Sequence, residues 1–189
     1  MKGTIGFAMC GSFCTHSIAI NELKRLVDDG FDVIPIMSEN VYATDTRFGN
    51  AADLIKKVES ITSHPVIHSI VDAEPLGPKI TLDAMLICPC TGNTLAKLAA
   101  GITDTTVCMA AKAHLRGDRP LVITLASNDA LSANLKNIAT LLNRKHVYFV
   151  PMMQDDPLKK PHSLVADFSL VRSTLDASLE GKQYRKVFI

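Results

Sequence analysis

The sequence predicts a three-layer α/β domain, in which a parallel sheet carries helices on both faces. Three observations carry that expectation. Short apolar runs alternate with segments of helical spacing, the run LDAMLICP is apolar at nearly every position, and small polar residues follow the runs. A strand apolar on both alternating faces needs cover on both sides, which a sheet between two helix layers provides. The 189 residues are enough for one sizeable core and few for two. Residues 1–189 are therefore read as a single domain, with a C-terminal helix over 164–180 as an extension.

The elements follow in order. TIGFAM, residues 4–9, reads as a buried strand, and CGSFCTHS as a small-residue turn. A helix fits Ile18 to Val27, where Ile18, Leu23, Leu26 and Val27 share a face, with Asp28, Asp29 and Gly30 ending it. FDVIPIMS is a second strand ending near Ser38. Residues 40–50 are polar and rich in turn formers, and NAADLIKKVES returns to helical spacing. Pro65, Pro75, Gly77 and Pro78 make 63–80 mostly loop, with a short strand at 66–67. LDAMLICP is the central strand, and TGNTLAKLAAG a helix stopped by Gly101. A further helix fits TTVCMAAKAHLR, then a strand PLVITLA, a helix over 129–143 and a strand over 146–150. In the final segment Leu164, Phe168, Val171, Leu175 and Leu179 recur at steps of three and four.

Composition narrows the function classes. A net charge of +1 with both signs dispersed offers no basic face for nucleic acid or an anionic membrane. No stretch approaches the roughly 20 apolar residues of a membrane-spanning helix, and the apolar run after Lys2 is interrupted by Gly3 and Gly6, so it reads as a core strand. Five cysteines, an odd number, fit free thiols and a cytoplasmic setting.

In sheets of this kind ligands bind beyond the carboxyl ends of the strands. The loops to inspect begin at Cys10, Ser38, Cys88 and Ser127. The first lacks both the Gly-Lys-Ser/Thr of a P-loop and the three-glycine dinucleotide spacing. It does place Gly11, Ser12, Thr15 and Ser17 before a helix, where amides and hydroxyls can hold a phosphate or merely cap the helix. Cys10, Cys14 and His16 lack a second pair of zinc-knuckle ligands, so no metal site is expected. One residue between Cys88 and Cys90 strains a disulfide, and both read as small apolar spacers. Thr91, Asn93 and Thr94 can cap a helix or meet the heteroatoms of a flat ring. Ser127, Asn128 and Asp129 offer the same choice on the fourth loop, and no catalytic residue is assigned.

CPCTGNTLAKLAAGITD resembles the Pro-Ala-Ser/Thr-Ala-Asn-Thr motif, its helix and its Gly-Ile-Ala-Asp-like end in the FMN-binding cysteine-decarboxylase flavoproteins. TIGFAMCGSFCT is similar to their first strand and phosphate loop, VIPIMSENVY to their second strand, and VITLASND to the strand before their Met-Asn pair, in the same order over residues 4–150. The resemblance implies a Rossmann-like, flavodoxin-like fold and FMN as cofactor. Carried over by position, Gly11 and Ser12 hold the phosphate and Ser38 the phosphate or ribityl chain. Pro89, Thr91, Asn93 and Thr94 lie along the ring edge, with Asn128 on the substrate side. It further implies that the chain is one component of an oxidoreductase for a small dicarboxylate. A larger partner carries NADP, and the chain forms a homo-oligomer, a trimer or a multiple. Arg47, Lys79 and Arg116 are the cations weighed for the carboxylates. Two departures argue against decarboxylation of a C-terminal cysteine. The sequence has Pro75-Leu76-Gly77-Pro78-Lys79 where the family places a histidine after Pro-Leu, and Ser127-Asn128 replaces Met-Asn.

Overall fold

The computed structural model describes residues 2–189. Strand β1 (Thr4–Met9) is buried along almost its whole length and runs into a 3-10 turn, Phe13–Thr15. Helix α1 (His16–Asp28) then returns across the sheet, burying Ala19, Ile20, Leu23 and Leu26 on one face. Strand β2 (Asp32–Met37) ends one residue before Ser38. Ser38 opens a short helix absent from the prediction, α2 (Glu39–Ala43), by accepting a hydrogen bond from the Val41 amide on its hydroxyl. Helix α3 (Ala51–Thr62) follows the polar stretch. The expected short strand at 66–67 is a single bridge, Ile36 to Ile67, and the predicted loop also holds a one-turn helix α4 (Ile70–Ala73).

Strand β3 (Ala84–Cys90) is buried at every position, as its unbroken apolar pattern required. Helix α5 (Gly92–Ala100) stops at Gly101, whose φ of +72° is a left-handed cap that glycine takes without strain. Helix α6 (Thr106–Leu115) and strand β4 (Leu121–Ser127) complete this unit. After β4 the chain departs from prediction. Residues 128–134 are turns and helix α7 covers only Leu135–Leu142, because Asp129 accepts the Ser132 and Asn134 amides on its carbonyl and coils the backbone tightly there.

The remaining elements are β5 (Val147–Phe149), β6 (Met152–Met153), β7 (Leu164–Ala166) and helix α8 (Val171–Leu179). The C-terminal helix predicted over 164–180 is therefore shorter at its start. Leu164 and Ala166 are buried while Val165 is half-buried, the two-residue period of a strand, and Asp167 then caps a 3-10 turn through the Ser169 amide.

The sheet order is β2-β1-β3-β4, with β5 and β7 both paired to β4 and β6 beyond β7. Strands β2, β1, β3, β4 and β5 are parallel and give the expected doubly wound core, helices on both faces. The expectation of an all-parallel sheet is corrected at one edge. β5 pairs only Leu121–Ile123, so the last residues of β4 are open, and β7 fills that gap antiparallel at Ala126 and Ser127. β6 lies antiparallel to β7, and residues 187–189 are sewn to Met152 by two backbone hydrogen bonds. The chain reverses direction between β1 and β3, and the crevice for a ligand in such sheets opens at that switch, beyond the strands' carboxyl ends.

Candidate cofactor-binding site

Three strand ends are tied together at that crevice. The Cys10 amide donates to the Pro89 carbonyl at 3.1 Å, and the Ser38 amide donates to the Met9 carbonyl at 3.0 Å. The Thr94 hydroxyl donates to the Cys10 sulfur at 3.3 Å and accepts from the Thr91 hydroxyl at 3.2 Å. Ser38, Pro89, Thr91 and Thr94 are thereby brought together at the crevice, and Gly11 and Ser12 follow Cys10 directly in the chain. Asn93, in the first turn of α5, and Asn128, just past β4, are both exposed.

Binding and capping chemistry coexist on the same side chains. Thr91 accepts the Thr94 amide on its hydroxyl, as an N-cap does. That leaves the amides of Gly92 and Asn93, the first two of α5, without acceptors inside the helix. Ser38 likewise caps α2 yet retains its hydroxyl proton for a ligand. Small residues, free helix-start amides and hydroxyls are what a phosphate and a flat heteroaromatic ring require.

A hydrogen-bonded group packs against the start of α5, and sequence reading named only part of it. Asp129 accepts from the Ser127 hydroxyl at 2.5 Å and from the Asn134 side-chain amide at 2.9 Å. Asn134 in turn accepts from Asn137 at 2.8 Å. Gly92 is pressed against this group: a β-carbon there would lie 2.5 Å from the Ser127 hydroxyl and 2.6 Å from the Asn134 amide. The Ser127 hydrogen bond holds the Asp129 carboxyl below its usual range. Asn134 escaped notice because residues 129–143 read as continuous helix. Glu39, also missed, accepts from both the amide and hydroxyl of Thr106 at 2.7 Å, fastening α2 to the start of α6.

Three thiols near these strand ends, Cys10, Cys88 and Cys90, are free and fully buried. Burial pushes Cys10 up to about 12 and raises Cys88 and Cys90 as well, which favours the protonated thiols. His16 places Nε2 2.9 Å from the Cys10 carbonyl, which can only accept, so Nε2 carries the proton. Burial lowers its pKa, and it stays neutral.

Of the three cations weighed for substrate, Arg116 and Lys79 precede the amino ends of β4 and β3. Lys79 follows Gly77, which abuts Ala113 in the last turns of α6. Arg47, by contrast, stacks on the Phe48 ring at 4.9 Å, and Phe48 lines a cavity beside the β1 loop. This cavity of about 310 Å³ opens between Phe13 and Cys14 on one side and Asp53 and Lys57 of α3 on the other. Ser17, read as a phosphate-loop residue, lines that cavity, and Asn128 lines a second hollow of about 370 Å³ shared with Lys159, Lys160, Pro161 and His162. Among the described residues no helix is long and apolar enough to cross a membrane.

Residues 1–170 match the family model described as Flavoprotein, and the chain belongs to that family. Within it, the chain is 44% identical over 190 residues to the B subunit of dipicolinate synthase from Bacillus subtilis (strain 168), covering 100% of this chain and 95% of the relative. It also matches the crystal structure of the corresponding dipicolinate synthase B subunit from Bacillus halodurans C with a TM-score of 0.91 and 43% identity, over 100% of this chain and 96% of that one. A dodecameric FMN-dependent Ubix-like decarboxylase from Escherichia coli O157:H7 shares the fold at a TM-score of 0.63 and 21% identity, over 78% and 79% of the two chains. The resemblance read from the loop motifs is thus borne out at the level of family and fold.

Proposed function

We propose that this chain serves as the flavin-carrying B subunit of a dipicolinate synthase. In this reading it works with the dehydrogenase-like A subunit of that enzyme to oxidise a dihydrodipicolinate-level precursor to dipicolinate during sporulation, in the cytoplasm of the mother cell. The observation that carries the reading is the full-length likeness, at 44% identity, to a protein of that name. The cleft chemistry is consistent with it.

Gly11 and Ser12 would hold the FMN phosphate, Ser38 the phosphate or ribityl chain, and Pro89, Thr91, Asn93 and Thr94 the ring edge. Bound FMN supplies a two-electron acceptor, and aromatisation of the precursor ring supplies much of the driving force. The chain's own residues bind and orient. The amides of Gly92 and Asn93 meet electron-rich edges, Asn128 faces the substrate side, and the protonated thiols beneath add neither charge nor nucleophile. NADP belongs to the dehydrogenase-like partner in this scheme, since the β1 loop lacks the dinucleotide fingerprint. Asn93 and Asn128 stand exposed in one chain, so a homo-oligomer, a trimer or a multiple, is proposed to close the cleft.

Purified protein is expected to be yellow, or to gain thermal stability on adding FMN but not riboflavin, since ligand bound only to the native state raises the midpoint. No response to micromolar FMN, together with tight binding to the dehydrogenase-like partner, would instead assign a non-catalytic role with a vestigial flavin pocket.

A further inference from the structure

The segment QDDPLKKPH, residues 154–162, joins β6 to β7 and takes no part in the cleft chemistry described so far. Its backbone is fixed. The Lys160 amide donates to the Asp156 carbonyl at 2.7 Å, and the Leu131 amide donates to the His162 carbonyl at 2.9 Å. The Lys159 amide donates to the Asp156 carboxylate at 3.0 Å, and the Gln154 side chain donates to the Pro161 carbonyl at 2.9 Å. The hollow beside this segment is lined by Lys159, Lys160, Pro161, His162 and Asn128, with neither aspartate in its lining.

The two lysines are not equivalent. Lys160 Nζ lies 2.7 Å from Asp155, so its charge is answered. Lys159 has no carboxylate within ion-pair distance among the described residues, and it is exposed. The hollow adjoins the crevice through Asn128, which follows Ser127, and the Ser127 hydroxyl lies against Gly92 at the start of α5. The hollow measures about 370 Å³, inside the range of about 300–1,000 Å³ typical of small-molecule sites. An unanswered ammonium beside a side-chain amide, at the mouth of a cleft for a flat ring, suits a planar anion.

We propose that Lys159 and Asn128 form the carboxylate-binding end of the substrate site, taking one carboxylate of a planar six-membered heterocyclic dicarboxylate. Lys160, held by Asp155, is a positioning residue that keeps the segment in place. This assignment rests on the reading of the chain as a flavin-linked component of an enzyme for a dicarboxylate.

The test is calorimetric titration of the full-length, FMN-loaded chain with pyridine-2,6-dicarboxylate, and with pyridine-2-carboxylate for comparison. Lys159→Met is expected to weaken dicarboxylate binding about tenfold, the effect of one charge-assisted hydrogen bond. FMN affinity and melting temperature stay at wild-type values, Lys159→Arg restores most of the binding, and Asn128→Ala weakens the dicarboxylate more than the monocarboxylate. Equal dicarboxylate binding by wild type and Lys159→Met overturns the assignment alone. Loss of FMN affinity with dicarboxylate binding intact also overturns it, and gives the cations to the cofactor phosphate. A wild-type chain that takes FMN but no dicarboxylate rejects the parent reading of substrate.

Discussion

At Gly92 one methyl group decides whether α5 can sit against the end of β4. Gly92→Ala would drive a β-carbon to 2.5 Å from the Ser127 hydroxyl, and the expected cost is about 2 kcal/mol, typical of overpacking in a tight site. Urea denaturation checks this, with a parallel loss of FMN binding as the helix start is displaced. Asp129→Asn tests the same group through pH. The carboxyl is held below its ordinary 3.8 by Ser127, so its stabilisation is present above that value and fades as pH falls through the folded pKa. The variant should melt lower than wild type at pH 7, and the gap should close in acid. Cys90→Ala should leave FMN affinity unchanged, because burial favours the neutral thiol, whereas Cys90→Leu should abolish binding by overfilling the space. That Cys88 and Cys90 are free and buried agrees with the strain that the single proline between them would put on a disulfide. The Asp129–Asn134 contact was not legible, since a separation of five positions on an apparent helix gives no sign that the backbone coils there.

Among the elements, those with an unbroken or strongly periodic apolar pattern were placed correctly from sequence. β3 is apolar throughout and central, and α5 ends where Gly101 allows a left-handed cap. Legibility failed where one pattern served two structures. Leu164, Phe168, Val171 and Leu175 match a helical stripe, yet Leu164 sits on a strand, and only the antiparallel partner at Ser127 makes that choice. Short elements fixed by a single cap, such as α2 on Ser38, leave too few residues to show a period. α1 and α6 each carry a buried histidine, His16 and His114, whose pKa burial lowers from 6.5. Their unfolded forms bind protons more readily, so stability is full above pH 6.5 and declines as pH falls below it. His114→Gln, which retains a donor for the Pro120 carbonyl, should show a shallower decline between pH 7 and 5 in denaturant titrations.

For the molecule as a whole, the doubly wound core followed from alternation of strands and helices, and the cleft from where such a core reverses direction. The antiparallel edge could not be read, because β6 and β7 are too short to carry a signature and exist by filling the open end of β4. That edge has a mechanical consequence. The Met152 amide donates to the Val187 carbonyl at 2.8 Å, and the Ile189 amide donates to the Met152 carbonyl at 3.1 Å. Tension on residues 187–189 is thereby transmitted through two short strands to Ser127 and Asn128. A fusion partner attached after residue 189 should disturb substrate affinity more than the same partner placed before β1. Removing residues 187–189 should speed amide hydrogen exchange at Met152 and Val165 while leaving β1 and β3 protected.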